Sequence, residues 1–292
     1  MKKVLVILII VLVAAAAVVA AGSQINVYQD AKGIHFADRN SAEILSEKDS
    51  KHFNEIQIKT DSANIEILTG DNFGFEFMAG STVDTSYSLV DKKLTITQKS
   101  KTMLFNLNLW SQKSDYIRIY LPKEAIMNNI SISDESGNIT INTLNCENLD
   151  ITSTSGNTVL NTASSSIILI DKTSGNVDMK NCRTGRLDMS LTSGNLNASG
   201  METGAVSISQ TSGNITMAGK LLGDTVISGV SGNIKLDITG DKATYNRDIS
   251  VISGNVNVDG SSNKSDKYEN ASATNSLKLK TTSGNVTVNF VK

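Results

Sequence analysis

The sequence contains little cysteine, histidine and proline, and each shortage excludes a class of protein. Two cysteines among 292 residues are too few for a disulfide-rich scaffold or a four-cysteine zinc site. Two histidines argue against a histidine-rich catalytic metal centre. The 27 basic and 29 acidic residues nearly balance, so no strong positive field attracts nucleic acid. One proline and 21 glycines exclude a disordered or collagen-like chain. We therefore expect no cofactor, no metal and no nucleic-acid partner.

Hydrophobic residues are concentrated in one long run at the N-terminus. Lys2 and Lys3 precede an uncharged stretch from Val4 to Ala21, which is at the short end of the length that spans a bilayer. Basic residues before such a segment favour a cytoplasmic N-terminus, so this signal-anchor would place the rest of the chain outside the membrane. The alternative is a signal peptide that is cleaved before Gly22, and the protein would then be secreted.

A Ser-Gly-Asn tripeptide recurs through the second half of the chain. Its glycines are 19 residues apart over the first six copies and farther apart afterwards, at Gly137, Gly156, Gly175, Gly194, Gly213, Gly232, Gly254 and Gly284. Apolar residues lie two and four positions after each glycine, and five and seven positions before it, with few exceptions. This alternation predicts two short strands in each repeat, one before and one after the tripeptide.

A fixed period of this length is typical of a solenoid whose equivalent strands stack in parallel. We predict an all-β fold, a parallel two-sheet β-solenoid with Ser-Gly-Asn at one corner. The glycine would provide a positive φ, and the asparagines would form a ladder between coils. The predicted domains are a transmembrane anchor helix at 1–22, a juxtamembrane stalk at 23–50, an N-terminal β cap at 51–129 and solenoid repeats at 130–292.

A family resemblance follows from these motifs. Ser62-Ala63-Asn64 lies between isoleucine pairs with the same offsets as in the later coils, and a strand is predicted from Ile117 to Pro122. With the hydrophobic N-terminus and the serial Ser-Gly-Asn coils, these segments resemble the family called putative adhesins, domain of unknown function 4097. The resemblance covers residues 50 to 292. It implies a bacterial cell-envelope protein of β-strand repeats, with some members linked to envelope-stress operons, and it implies no ligand.

Two repeats carry extra residues at the corner opposite Ser-Gly-Asn. The larger insertion lies within Asp259 to Ser276, and insertions in solenoids often gather on a binding edge. The candidate binding residues in this loop and the adjacent coil are Tyr245, Arg247, Asn263, Lys264, Asp266, Lys267, Tyr268 and Glu269. The other interpretation is a surface loop without a ligand, because long polar loops are readily tolerated.

These features predict a non-enzymatic, membrane-anchored surface protein whose solenoid is a scaffold for adhesion, binding or envelope-stress sensing. Its partners would be the cytoplasmic membrane and a cell-wall glycan, surface glycan or protein. A carbohydrate-active β-helix enzyme is one alternative, but the outward strand positions form no carboxylate pair. A self-assembling solenoid is another, because the final coil stops after the strand with Val286 and Val288 and leaves an edge.

The two cysteines are expected to be free thiols. Cys146 and Cys182 belong to coils that are two apart, and stacked coils are about 4.8 Å apart, so the distance exceeds the reach of a disulfide. We therefore predict no covalent link between coils, and no residue is a candidate for catalysis.

Overall fold

The computed structural model describes residues 25–30, 33–38, 43–80, 83–101, 103–106 and 115–291. The predicted anchor at 1–22 lies outside these residues, and so do parts of the predicted stalk. Within the described ranges the chain forms β-strands and one short 3-10 helix, Lys242–Thr244. No helix in these ranges is long and apolar enough to cross a membrane.

The described strands fall into an N-terminal group and the coils that follow. The first group is β1 (Ile25–Asp30), β2 (Gly33–Asp38), β3 (Glu43–Glu47), β4 (Glu55–Thr60), β5 (Asn64–Gly70), β6 (Gly74–Ala79), β7 (Val83–Val90), β8 (Lys93–Ser100), β9 (Met103–Asn106) and β10 (Tyr116–Pro122). The coils contain β11 (Met127–Asp134), β12 (Ile139–Ile141), β13 (Leu144–Ser153), β14 (Thr158–Asn161), β15 (Ala163–Lys172), β16 (Val177–Lys180), β17 (Arg183–Ser193), β18 (Leu196–Thr203), β19 (Val206–Ser212), β20 (Ile215–Leu221), β21 (Asp224–Ser231), β22 (Ile234–Thr239), β23 (Tyr245–Ser253), β24 (Val256–Val258), β25 (Ser261–Asn263), β26 (Ser265–Tyr268), β27 (Asn275–Ser283) and β28 (Val286–Val291).

The coils form two long parallel stacks, which confirms the predicted all-β parallel solenoid. The strands that lead into each corner stack in the order β8, β4, β11, β13, β15, β17, β19, β21, β27 and β23. The strands that leave each corner stack in the order β10, β5, β12, β14, β16, β18, β20, β22, β28 and β24. Alternate side chains of both stacks point inward, because successive residues of a strand face opposite sides, and they form one continuous apolar core.

The Ser-Gly-Asn corner has the geometry that the sequence predicts. Gly194 has a φ of +134°, and a Cβ atom there would overlap the carbonyl oxygen of Gly175 in the coil before it. The backbone N–H of Asn195 donates to the side-chain oxygen of Asn176 at 3.0 Å, and this bond recurs from coil to coil. Glycine is therefore required by close backbone approach, and asparagine by the ladder.

Each regular coil has a third laddered side that the two-sheet prediction missed. Along β13 the alternation of inward and outward residues is interrupted once. Cys146 faces inward and so does Leu149, but the two residues between them both point outward, which marks a bend. The inner face of the added side has buried residues at 19-residue intervals in two columns, one of Leu144, Ala163, Cys182 and Met201 and the other of Cys146, Ser165, Thr184 and Thr203. The Ser165 hydroxyl donates to the carbonyl oxygen of Ile167 at 2.7 Å, across the bend. This side has only two inward positions in each coil, and one of them is mostly polar, so the apolar alternation that marks the other two sides is weaker here.

At the C-terminal end the stacking order differs from the chain order. β27 pairs with β21 on one side and with β23 on the other, so the last coil in the sequence is inserted before the one that precedes it. The asparagine ladder follows the same order, since Asn285 donates to Asn233, and Asn255 donates to Asn285, each at 2.9 Å. The prediction that the last strands leave an open edge is therefore wrong. The outermost coil is β23–β24, and β26 and β25 pair with it in antiparallel fashion.

The N-terminal end is closed in a similar way. β4 and β5 stack directly on the regular coils, as the Ser62-Ala63-Asn64 segment predicts, and β8 and β10 form the layer beyond them. β7 pairs antiparallel with β8, β6 with β10, and β3 with β6. Asp91 and Lys92 have φ of 50° and 62°, as a tight β7–β8 hairpin turn requires. β1, β2 and β9 form a separate three-stranded sheet, so strands occur within the predicted stalk.

Candidate functional site

Three of the predicted binding residues meet in the C-terminal cap. The Arg247 Nε of β23 donates to the Asp266 carboxylate of β26 at 2.7 Å, and its guanidinium lies 4.4 Å from the ring centre of Tyr268. A second arginine nitrogen donates to two backbone carbonyls, at 3.2 and 3.3 Å. Arg247 is buried. The contacts of Arg247 with Asp266 and Tyr268 therefore hold β26 on the outermost coil.

Tyr245 is part of the core rather than the surface. Its relative exposure is 1%, and its ring packs against Phe290 with 5.2 Å between the ring centres. Burial raises the pKa of its phenol above the usual value. No described residue forms a hydrogen bond with the hydroxyl. A ligand on the cap surface would not reach this side chain.

Lys264 ends the asparagine ladder. Its ammonium group donates to the carbonyl oxygen of Gly254 at 2.6 Å and to the side-chain oxygen of Asn255 at 3.2 Å. In the inner coils the equivalent asparagine oxygen accepts the backbone N–H of the next coil. Lys264 therefore replaces the missing next coil.

The other three predicted residues lie on the outer surface of the cap. Lys267 and Glu269 form an ion pair at 3.1 Å in which both side chains are largely exposed. Asn263 is exposed opposite Val256 in the short β24–β25 pairing. Binding at this surface stays a prediction. The contacts show that Arg247, Lys264, Asp266 and Tyr268 hold the insertion against the end of the solenoid.

The N-terminal cap contains a comparable arginine cluster. The Arg118 Nε of β10 donates to Glu66 at 2.7 Å, and a second guanidinium nitrogen contacts Glu76 at 3.4 Å. The guanidinium also lies 4.3 Å from the ring centre of Tyr116, whose hydroxyl donates to Glu76 at 2.6 Å. The cluster joins β5, β10 and β6. Both ends of the solenoid thus use an arginine, a carboxylate and a tyrosine to hold their outer strands.

A cavity that the sequence did not indicate lies at the N-terminal start of the third side. On the N-terminal side β11 pairs with β13 only from Met127 and Cys146 onward, so no described strand pairs with Leu144 on that side. The gap is a notch of about 210 Å³ with an apolar floor of Leu121, Pro122, Ala125 and Leu144.

The rim of the notch is polar and carries one positive charge. The polar residues around it are Thr69, Lys123, Thr143, Asn145, Thr162 and Ser164. Thr162 has a φ of +57°, in the left-handed region that a β-branched residue rarely adopts. The equivalent corner positions in the next two coils are Asn181 and Gly200, with φ of 52° and 65°. The sequence signal for this position is that Thr162 occupies a corner where the next two coils have asparagine and glycine.

A buried polar column runs beneath the Ser-Gly-Asn corner. Asp134, Ser153 and Lys172 are in register on three successive coils, and all three are buried. The Lys172 ammonium donates to the Ser153 hydroxyl at 3.0 Å, and the Asp134 carboxylate accepts the Gly137 N–H at 2.6 Å. Burial raises the pKa of Asp134 to about 6, against the opposing effects of backbone hydrogen bonds and the Lys172 charge.

Burial also lowers the pKa of Lys172 below its usual value, while the nearby carboxylate opposes this shift. A substrate has no access to the column, because all three of its side chains are buried. Among the described residues no group of histidine, cysteine and carboxylate side chains is arranged to hold a metal ion. The predicted absence of a disulfide is confirmed, since Cys146 and Cys182 are free and buried, and burial raises both thiol pKa values.

Comparison with solved structures places this architecture among known folds. A protein from Bacteroides fragilis, named a "putative adhesin", aligns with a TM-score of 0.51 and 16% identity, over 86% of this chain and 97% of that chain. A protein named "putative lipid binding protein" from Parabacteroides distasonis aligns with a TM-score of 0.46 and 16% identity, over 86% and 97% of the two chains. A "putative adhesin" from Parabacteroides merdae gives 0.42 and 13%, over 86% and 96%.

The first of these likenesses shows a shared fold. No curated protein sequence matches the chain. The family model described as Toastrack DUF4097 matches residues 53–289, which include the N-terminal cap strands from β4 onward, every regular coil and the C-terminal cap. The chain belongs to the Toastrack DUF4097 family.

Proposed function

We propose that this chain is a non-enzymatic cell-envelope protein whose solenoid is a scaffold for adhesion or ligand binding at the outer face of the membrane. The observation that carries the proposal is the closure of both ends of the coil stack. The outermost strands are paired by β7, β6 and β3 at one end and by β25 and β26 at the other. A rod of this kind presents its side surfaces to partners, and the strands that cover its ends in the described part of the chain are antiparallel to the coils and do not continue the parallel stack.

The proposed attachment rests on the sequence. The apolar run from Val4 to Ala21 follows two lysines, which favours retention of the N-terminus in the cytoplasm. The N-terminal cap would then lie near the membrane, and the β23–β26 end would lie farthest from it. This orientation leaves the sides and the far end of the rod accessible from outside the cell.

Protease treatment of bacterial protoplasts that express the full-length chain tests this topology. We expect external protease to digest the solenoid while the Met1 segment stays in the membrane fraction. As a matched variant, Lys2→Glu combined with Lys3→Glu removes the positive flank and should reduce the fraction in this orientation. Full protection of the solenoid in intact protoplasts would contradict the proposal. A released product that begins at Gly22 would show cleavage in place of anchoring.

A further inference from the structure

We propose that the notch at the start of the third side binds an acidic sugar residue, that is, one monosaccharide unit that bears a carboxylate. This inference specifies a ligand class for the binding role proposed above, and therefore rests on it. The site differs from the C-terminal cap, where the predicted binding residues are used to close the solenoid.

The size and floor of the notch suit a single sugar ring. Its volume of about 210 Å³ is below the roughly 300–1,000 Å³ of pockets that hold drug-sized molecules. Leu121 and Leu144 are buried, and with Pro122 and Ala125 they provide an apolar surface for the C–H face of a ring. A concave apolar floor with a few polar groups around it is the usual form of a small-molecule site.

The charge at the rim selects an anionic ligand. Lys123 is exposed at the notch and forms no ion pair with any described residue. No carboxylate side chain lines the cavity. By contrast, Arg183 on the same third side pairs with Glu202 at 2.9 Å. A carboxylate on the ligand would supply the partner that Lys123 lacks.

Neutral polar groups complete the rim. Thr69, Thr143, Asn145, Thr162 and Ser164 line the cavity, and within the described part of the chain their side chains form no hydrogen bonds. Deeper in the same side, Ser165 and Thr184 donate to backbone carbonyls at 2.7 and 2.8 Å. The rim groups are therefore available for the hydroxyls of a sugar.

Thr162 provides an independent indication of a site. A β-branched residue with a φ of +57° is strained, and strained backbone positions cluster at active sites and ligand-binding sites. Asparagine or glycine would relieve this strain, as at Asn181 and Gly200 in the next coils. Thr162 lines the notch, so the strained residue is one that a ligand in the notch would contact.

Titration of the full-length chain in detergent micelles with glucuronic acid tests the charge. Calorimetry or ligand-observed NMR should give a Kd of about 1 mM, since one small ring makes few contacts. Lys123→Gln should weaken binding at least tenfold, whereas Lys220→Gln, an exposed lysine farther along the solenoid, should not change it. Glucose should bind at least tenfold more weakly than glucuronic acid.

Inorganic phosphate distinguishes recognition of a sugar carboxylate from recognition of any anion. Displacement of glucuronic acid by inorganic phosphate at equal concentration would overturn the sugar assignment, because the site would then recognise the anion alone. Equal binding of glucose and glucuronic acid would overturn the role of Lys123. Absence of any glucuronic acid binding would reject the site, whereas the protoplast experiment would still decide the topology separately.

Thr162→Asn distinguishes a binding role from a structural one. Because asparagine accepts the left-handed conformation, we expect the melting temperature to rise by about 2–4 °C while glucuronic acid binds several-fold more weakly. A rise in melting temperature with unchanged binding would show that Thr162 does not contact the ligand. A fall in melting temperature would show that the corner is not strained.

Discussion

Lys264 donates a hydrogen bond to the side-chain oxygen of Asn255 at the end of the asparagine ladder. Every inner asparagine oxygen accepts from the backbone of a following coil, and Asn255 has no such coil beyond it. The insertion that the sequence marks as a candidate binding loop thus supplies a lysine in place of a backbone N–H. The same segment contributes the antiparallel strands that cover the outermost coil.

Replacing this lysine should loosen the cap. Lys264→Met removes the bonds to Gly254 and Asn255, and the expected loss of stability is about 1 kcal/mol, because the lysine is exposed and water replaces part of its bonding. Hydrogen exchange should accelerate in β23 and β24. Lys267→Met is the matched control, since its ion pair with Glu269 is on the surface and should contribute little. Equal exchange in the two variants would refute the capping role.

Ending the chain after Thr274 tests the stacking order. This truncation removes β27 and β28, which lie between β21–β22 and β23–β24. We expect the outer coil and its cap to unfold, so that trypsin cleaves rapidly at Lys264 and Lys267 while the coils up to Thr239 resist digestion. Removal of Lys292 alone is the control. If stacking followed chain order, the coil from Tyr245 to Val258 would stay protected in the truncated chain.

The corner glycine should be far more sensitive to substitution than the glycine of the cap loop. Gly194→Ala combines an unfavourable positive φ with overlap against the Gly175 carbonyl, so we expect a loss of roughly 3 kcal/mol or more. Gly260 also has a positive φ, of 85°, but a Cβ there would meet nothing within 4 Å. Gly260→Ala should therefore cost about 1 kcal/mol. Urea melts of the two variants give the comparison, and similar losses would show that close backbone stacking is unimportant.

The buried carboxyl of Asp134 should make stability depend on pH. Its folded-state pKa of about 6 is above the ordinary value of 3.8, so between about pH 4 and pH 6 the folded state binds more protons than the unfolded state. Stability must then fall as the pH rises through this window, by on the order of 2–3 kcal/mol. Asp134→Asn should remove this part of the dependence of the free energy of unfolding on pH. Parallel pH profiles for the variant and the native chain would exclude Asp134 as its source.

Lys172 offers a second test of the same column. Its positive charge lowers the pKa of Asp134, although burial is the larger effect. Lys172→Met should therefore raise the pKa of Asp134 further and shift the pH-dependent loss of stability to higher pH. The shift can be followed by comparing urea midpoints from pH 4 to pH 8. An unchanged window would show that the two groups do not interact across Ser153.

The sequence alone determined the features that depend on local geometry. Strand alternation, the glycine corner and the asparagine ladder repeat in every coil, so their signal accumulates along the chain. The coil at Ser62-Ala63-Asn64 was predictable for the same reason, because its isoleucines have the offsets of the later coils. A parallel solenoid follows because a constant repeat length returns equivalent residues to equivalent positions.

The order in which the coils stack follows from contacts between residues that are far apart in the chain. β23 and β27 share an apolar inward position, where Ile249 pairs with Leu279, but Arg247 of β23 lies opposite Leu277. The position of each strand along the chain does not show that β27, and not β23, stacks on β21. The cap contacts of Arg247 with Asp266 and of Lys264 with Asn255 hold β23–β24 at the outside. The third side was likewise hidden, because each coil has only two inward positions there and one of them is mostly polar. When several strands have similar patterns, the sequence alone does not show which of them pair.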